Sequence, residues 1–150
     1  MSLYTIFKIS AQGMTAQRER LEASSANLAN ANSTRSTDGK PYQRRDVVFT
    51  AIDVNDKWNE VSAEGGLENR MKPQGVKSEV IARDLNQTPT RQFQPWNPDA
   101  DAQGYVNMPD VDPLEETVNM MSAARAFEAN ATVFGTAKEM ARVSLNLGDA

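Results

Sequence analysis

From Leu3 to about Ala31 the chain holds no proline and a single glycine, Gly13. Positions 4, 7, 11, 14, 18, 21, 25 and 28 read Tyr, Phe, Ala, Met, Arg, Leu, Ser and Leu, six of them apolar. Thr5, Lys8, Gln12, Thr15, Glu19 and Glu22 fall between them. Apolar residues recurring every three or four positions mark one face of an α-helix, and here the repeat is close to a heptad. The pattern predicts an N-terminal amphipathic helix with Phe7, Met14 and Leu21 on its seam.

The other end repeats the pattern. Positions 120, 124, 127, 131, 134, 138, 141 and 145 read Met, Ala, Phe, Ala, Phe, Lys, Ala and Leu, interrupted only by Lys138. Met120, Phe134 and Leu145 thus lie on a second seam. Pro113 with Glu115 and Glu116 is a good helix start, because proline suits the first turn and acids complement the dipole. Gly148 is a plausible stop. Ala126, Val133, Met140 and Leu147, seven apart, form another stripe beside the first. One partner helix cannot cover both, so this helix is expected to touch more than one neighbour. The alternative is a wide core-facing side in an ordinary helical domain.

Residues 33–112 differ in kind, since they carry every proline except Pro113, and glycines at 39, 65, 66, 75 and 104. "DVVFTAID" (46–53) and "GVKSEVIA" (75–82) have strand-like β-branched content. "VSAEGGLENRMK" suggests a hairpin turning at Gly65-Gly66. "NQTPTRQFQPWNPDADAQG" is expected to be an extended loop, because each proline biases its predecessor away from helix. The expected fold is mainly α with a small β-rich insert. Residues 1–32 and 113–150 would be the two helices of an antiparallel coiled-coil stem, and 33–112 its β-rich and extended middle.

Composition narrows the chemistry. The 150 residues carry a net charge of −4, which argues against a broad nucleic-acid footprint. No run of like charges suggests a tail for anionic membranes, and no stretch reaches the roughly 20 apolar residues of a membrane span. The N-terminus "MSLYTIFKIS" lacks the basic n-region and cleavage site of a secretory leader. Export, if it occurs, would then need a machine that works without a cleaved leader. Histidine and cysteine are both absent, which removes thiol nucleophiles, cysteine-based zinc sites and the usual neutral-pH proton shuttle. Neither an enzyme nor a cofactor is expected.

Three motifs remain. "DADAQGYVNMPD" (99–110) spaces Asp99, Asp101, Gln103 and Gly104 much as a calcium loop does. However, its last position is Asp rather than Glu, and Pro95, Pro98 and Pro109 deny it flanking helices, so an Asp-rich turn is the simpler account. The carboxylates Glu115 and Glu116 cluster at a helix start, where the dipole explains them better than catalysis does. Finally, Asn27 and Asn30 flank Leu28 and Ala29, and Asn130 sits between Ala129 and Ala131 near Phe127. Asparagine favours helix ends and turns, which accounts for Asn32 but not for Asn130 in mid-helix. Small residues with amides between them suit close helix contact, so these groups are expected on an assembly surface.

"SSANLANANSTRSTDGKPYQRRDVVF" (24–49) resembles the N-terminal signature of the bacterial flagellar rod and hook axial proteins, whose core is Ala-Asn-Leu-Ala-Asn. "PDADAQGYVNMPDVDPLEETVNMMSAARAFEANATVFGTAKEM" (98–140) resembles the C-terminal region of their proximal-rod members. There Gly104, Tyr105, Val106, Met108, Pro109, Val111 and Asp112 match one segment. Arg125, Ala126, Phe127, Ala129 and Asn130 match the helix that follows. Gln94 and Trp96 depart from the pattern, standing where an acid and a small residue are expected.

The resemblance implies a structural protein, carried unfolded through the flagellar type III export apparatus without a cleaved leader. It implies polymerisation with itself and other rod proteins into the rod that crosses the periplasm, with the terminal helices as the inner layer. It implies no nucleic acid and no membrane insertion. A lone subunit would expose its apolar stripes and keep poorly ordered ends until assembly supplies the ordering free energy. The rival class is a soluble coiled-coil adaptor or type III secreted interaction protein, which would form a discrete oligomer.

Overall fold

The computed structural model describes residues 3–35, 39, 41–54, 73–83 and 90–148. The hairpin expected at Gly65-Gly66 lies outside the described residues. The elements in chain order are α1 (Leu3–Ala29), β1 (Arg45–Asp53), β2 (Gln74–Ala82), β3 (Thr90–Phe93), β4 (Tyr105–Met108) and α2 (Pro113–Gly148).

Both helix ends near the middle of the chain are written locally. At the end of α1 the Asn30 amide N–H is shared between the carbonyls of Ala26 and Asn27, at 3.1 and 3.2 Å. The Asn30 side chain donates to the Ala26 carbonyl at 2.8 Å, and a turn follows over 30–32. At the start of α2 the Asp112 carboxylate accepts the Leu114 N–H at 2.8 Å, which makes Asp112 the N-cap, with Pro113 in the first helical position.

β1 and β2 form one two-stranded sheet, and β3 and β4 another. Arg83 N–H donates to the Arg44 carbonyl at 2.8 Å, and Val54 N–H to the Pro73 carbonyl at 3.0 Å, so β1 and β2 run antiparallel. β3 pairs antiparallel with β4, Thr90 opposite Met108 and Phe93 opposite Tyr105. The latter corrects the expectation of an extended loop over 86–104. Pro95 lies beyond the end of β3 rather than within it, so its missing N–H costs the ladder no hydrogen bond. Gly104, at φ +80°, turns the chain into β4. A β-carbon there would stand 2.9 Å from the Phe93 ring.

Two compact units organise these elements. The first joins Met1–Arg18, Phe49–Ser78 and Ala124–Ala150. Within it the Phe7 and Phe134 rings meet edge-to-face at 4.9 Å, and Asn130 packs on Gly13. The two contacts fall in opposite chain order, so the helix segments of this unit run antiparallel. The second unit joins Glu19–Val48 and Glu79–Ala123. It contains the β3–β4 hairpin, the exit from α1 and the entry to α2, where Arg20 donates to the Asn119 side chain at 2.8 Å.

The buried residues are small. Among the described residues the buried apolar ones are Ala16, Ala23, Ala31, Val54, Val106, Ala123 and Ala137, joined by Thr5, Ser10, Ser24, Asn27 and Glu116. The expected seam of α1 is therefore displaced. Thr5, Ala16, Ala23 and Asn27 form the buried row, whereas Phe7, Met14 and Leu21 are half-buried and Tyr4 and Leu28 exposed. Small side chains let helices approach closely, and larger ones are left at the margins of that contact.

Candidate assembly site

The end of α1 is tied to the start of β1 by one amide. Asn27 is 1% exposed. Its Nδ2 donates to the Arg45 carbonyl at 2.8 Å, and its Oδ1 accepts the Arg45 N–H at 2.8 Å and the Tyr42 hydroxyl at 3.1 Å. The side chain thus pairs with the Arg45 backbone as a neighbouring strand would, leaving no buried peptide group there unpaired. Burial pushes the Tyr42 hydroxyl pKa above its ordinary value, with Arg45 opposing. Within the subunit, the amide of Asn27 is occupied at both its oxygen and its nitrogen by these bonds. The Asn30 amide serves the end of its own helix and accepts the Ser33 hydroxyl at 3.3 Å. Leu28 and Ala29, between them, are exposed.

Beside this amide runs a chain of alternating charges. The Arg44 guanidinium grips Glu115 through two nitrogens at 2.6 and 3.3 Å. Glu116 at 2.8 Å and Asp46 at 3.3 Å also pair with it, though outside good hydrogen-bond alignment. Asp46 is shared with Arg83 at 3.0 Å, and Arg83 reaches Asp110 at 3.4 Å. Glu116 is 1% exposed and Arg44's side chain 10%, so this part of the network is a buried ion pair. The hydrogen bond from Arg44 and its charge hold the Glu115 carboxyl below its ordinary pKa, and Glu115 in turn raises that of Arg44. The two glutamates, expected to answer only the helix dipole, are the anchor of Arg44.

The segment before α2 is a tightly bonded turn. Asp101 Oδ1 accepts the N–H groups of Tyr105 and Gln103, each at 2.9 Å, and its Oδ2 accepts from Arg91. Those backbone bonds, and then Arg91, lower its pKa. Asp99 accepts the Thr34 hydroxyl at 2.7 Å and pairs with Arg35 at 3.7 Å. The carboxylates with calcium-loop spacing are thus engaged by cations, a hydroxyl and the backbone. Among the described residues no group of three or more acidic, histidine or cysteine side chains is placed to hold a metal ion. Tyr105 stacks edge-to-face on Phe93 at 5.4 Å with the Arg91 guanidinium 5.2 Å from its ring centre, and Pro109 is buried.

On α2 the motif residues divide by face. Asn130 is half-buried against Gly13, while Arg125, Phe127 and Ala129 are exposed. Met120 and Phe134 are half-buried; Val133, Met140 and Leu145 are 49%, 56% and 72% exposed. Sequence reasoning missed Arg44 and Tyr42. The adjacent basic pair Arg44-Arg45 ahead of Asp46 was the available signal, but nothing local says which acids it meets. It also passed over Gly13 as a packing position, although a lone glycine inside a long helical pattern is itself such a signal.

A family model described as the flagella basal body rod protein matches residues 7–35. A second, described as the flagellar basal body rod FlgEFG protein C-terminal, matches residues 102–147. The flagellar basal-body rod protein FlgC of Yersinia enterocolitica is 42% identical over 149 residues, 99% of each chain. That of Borreliella burgdorferi is 37% identical over 97% of each chain, and that of Bacillus subtilis 35% over 99% of each.

Proposed function

Because the chain belongs to the family of flagellar basal-body rod proteins FlgC, we propose that it is a structural subunit of the proximal rod. It polymerises through α1 and α2 into the drive shaft that carries motor torque across the periplasm. Its place is the flagellar basal body, and its role is structural rather than catalytic. Residues 1–32 and 113–150 pair as an antiparallel coiled-coil stem, and 33–112 form the insert it carries. Export proceeds through the flagellar type III apparatus, and other rod proteins are its neighbours.

One observation carries the reading: large apolar side chains of α2 stand outside while alanines fill the inside. Leu114, Val118, Met121, Val133, Met140, Val143, Leu145 and Leu147 are all exposed. Surface of this kind, spread along a helix, is what an obligate interface covers. Contacts that do not close on themselves propagate into a tube, and close packing makes that tube stiff. The exposed residues Leu28, Ala29, Arg125, Phe127, Ala129, Val133, Met140 and Leu145 are the ones this reading assigns to the assembly surface. Among the described residues no helix is long and apolar enough to cross a membrane.

Phe127→Glu tests the reading, since a buried charge in an obligate contact is costly. The expected result is normal synthesis with neither rods nor swimming in cells carrying only this allele. A motile strain would overturn it. An adaptor would instead form a discrete oligomer by light scattering, with no signal in purified basal bodies by mass spectrometry.

A further inference from the structure

Gly13 lies in the middle of α1, where glycine is less favourable than alanine. Its surroundings explain it. A β-carbon at this position would stand 2.8 Å from Asn130 Nδ2, 3.1 Å from Cγ and 3.2 Å from Oδ1. All three atoms of the amide head crowd the same point, so turning the amide about its own axis relieves nothing. Asn130 would have to leave its seat.

The neighbouring residue makes the matching contact on the other side. Gln12 Oε1 occupies the space of a β-carbon on Gly75, 1.9 Å from where that atom would be, and Val54 closes the same notch at 2.9 Å. Gly75 and Val54 are buried. Consecutive residues of α1 thus engage α2 through one glycine and β2 through another, all within the first unit.

The contact is also unique in sequence. Ala123, Asn130 and Ala137 lie seven residues apart on α2, and both alanines are buried. Only the middle member of this row carries a side chain that needs a notch, and α1 holds one glycine. A slip of one heptad would place an alanine over Gly13 and press the Asn130 amide against a side chain of α1. A single polar residue in an otherwise small seam is a known way to fix register.

We infer that Asn130 seated on Gly13 is an internal register key, fixing where α2 lies along α1 within this unit. Asn130 is then a positioning residue, and the α1–α2 register sets the spacing of the apolar faces outside it. The functional readout rests on the rod-subunit reading, whereas the key itself does not.

Allele-specific suppression tests it in cells whose own rod subunit gene has been replaced. Gly13→Ala is expected to abolish swimming, and adding Asn130→Ala to the same chain to restore it. Asn130→Ala should not restore swimming to Phe127→Glu, whose fault lies elsewhere. Gly135→Ala is the control, since a β-carbon there meets nothing within 4 Å; it should swim. The key is overturned if Gly13→Ala swims, or if the double substitution fails to recover what the single one loses. If the unaltered chain itself does not restore swimming, the rod reading fails instead. Thermal unfolding of the purified full chain then decides the key: Gly13→Ala should lower the melting temperature, and Gly135→Ala raise it. A rise for both would overturn it.

Discussion

Around Tyr42–Asp46 polar side chains find their partners inside the subunit, while along the last turns of α2 the large apolar ones face outward. Asn27 closes on the Arg45 backbone and Arg44 on two glutamates, the second of them buried. Val133, Met140, Leu145 and Leu147 are 49%, 56%, 72% and 74% exposed. The first region encodes the shape of one subunit. On the proposed reading the second is completed by neighbouring subunits, and burying it there would supply free energy for assembly. The usual division of a globular protein, apolar inside and polar outside, is inverted here: alanines are buried and large apolar side chains of α2 are exposed.

Substitutions in the two regions should therefore separate folding from assembly. The largest loss of stability is expected from Arg44→Ala, which strands the buried Glu116 carboxylate beside a cavity. Removing one partner of a buried ion pair costs about 3–5 kcal/mol, and denaturant unfolding of the purified chain would read it. Arg44→Met is the sharper comparison, since it keeps the stem and removes only the charge. Asn27→Ala comes next. It leaves the Arg45 N–H and carbonyl without their partner, at a cost of about 1–3 kcal/mol. A near-neutral result would mean that water replaces the amide and that the clip is dispensable.

Acid should act on the polar contacts and not on the apolar stripe. Glu115 and Asp101 have carboxyl pKa values lowered by folding, so their contribution to stability is complete above the ordinary carboxylate range. It is lost as pH falls through the lowered values, below about 4. The unfolding midpoint of the free chain should accordingly hold steady near neutrality and fall on the acid side. Arg44→Ala should flatten the part of that fall due to Glu115. Both groups lie at the surface, so the effect is smaller than that of either substitution.

The smallest change in stability belongs to Met140→Glu. Met140 is exposed, so the isolated chain should unfold within about 0.5 kcal/mol of the unaltered one. Rods should nevertheless fail to form. A stable variant that still assembles would show that this stripe faces solvent in the rod, and the contrast between the two regions would lose its meaning.

The helices were legible from their periodicity, and their ends from Asp112-Pro113 and the asparagine-rich exit of α1. β1 and β2 were legible from β-branched content. β3 was not, because "TRQF" has little strand signal and owes its conformation to pairing with β4. The internal partners of Asn27 and Asn130 were not legible, because a polar group among small residues reads the same whether its partner is in the same chain or in the next one.

By itself the sequence determined the two amphipathic helices, the β-rich middle and the family, since periodicity, capping residues and motif order are local properties of the chain. Tertiary structure alone decided which face of α1 is buried and which partners Asn27, Arg44 and Asn130 take. Those outcomes depend on close approach between residues as far apart as Gly13 and Asn130, or Arg44 and Glu116. Hydrophobic pattern points the large side chains inward by default, whereas here steric fit placed the small ones there.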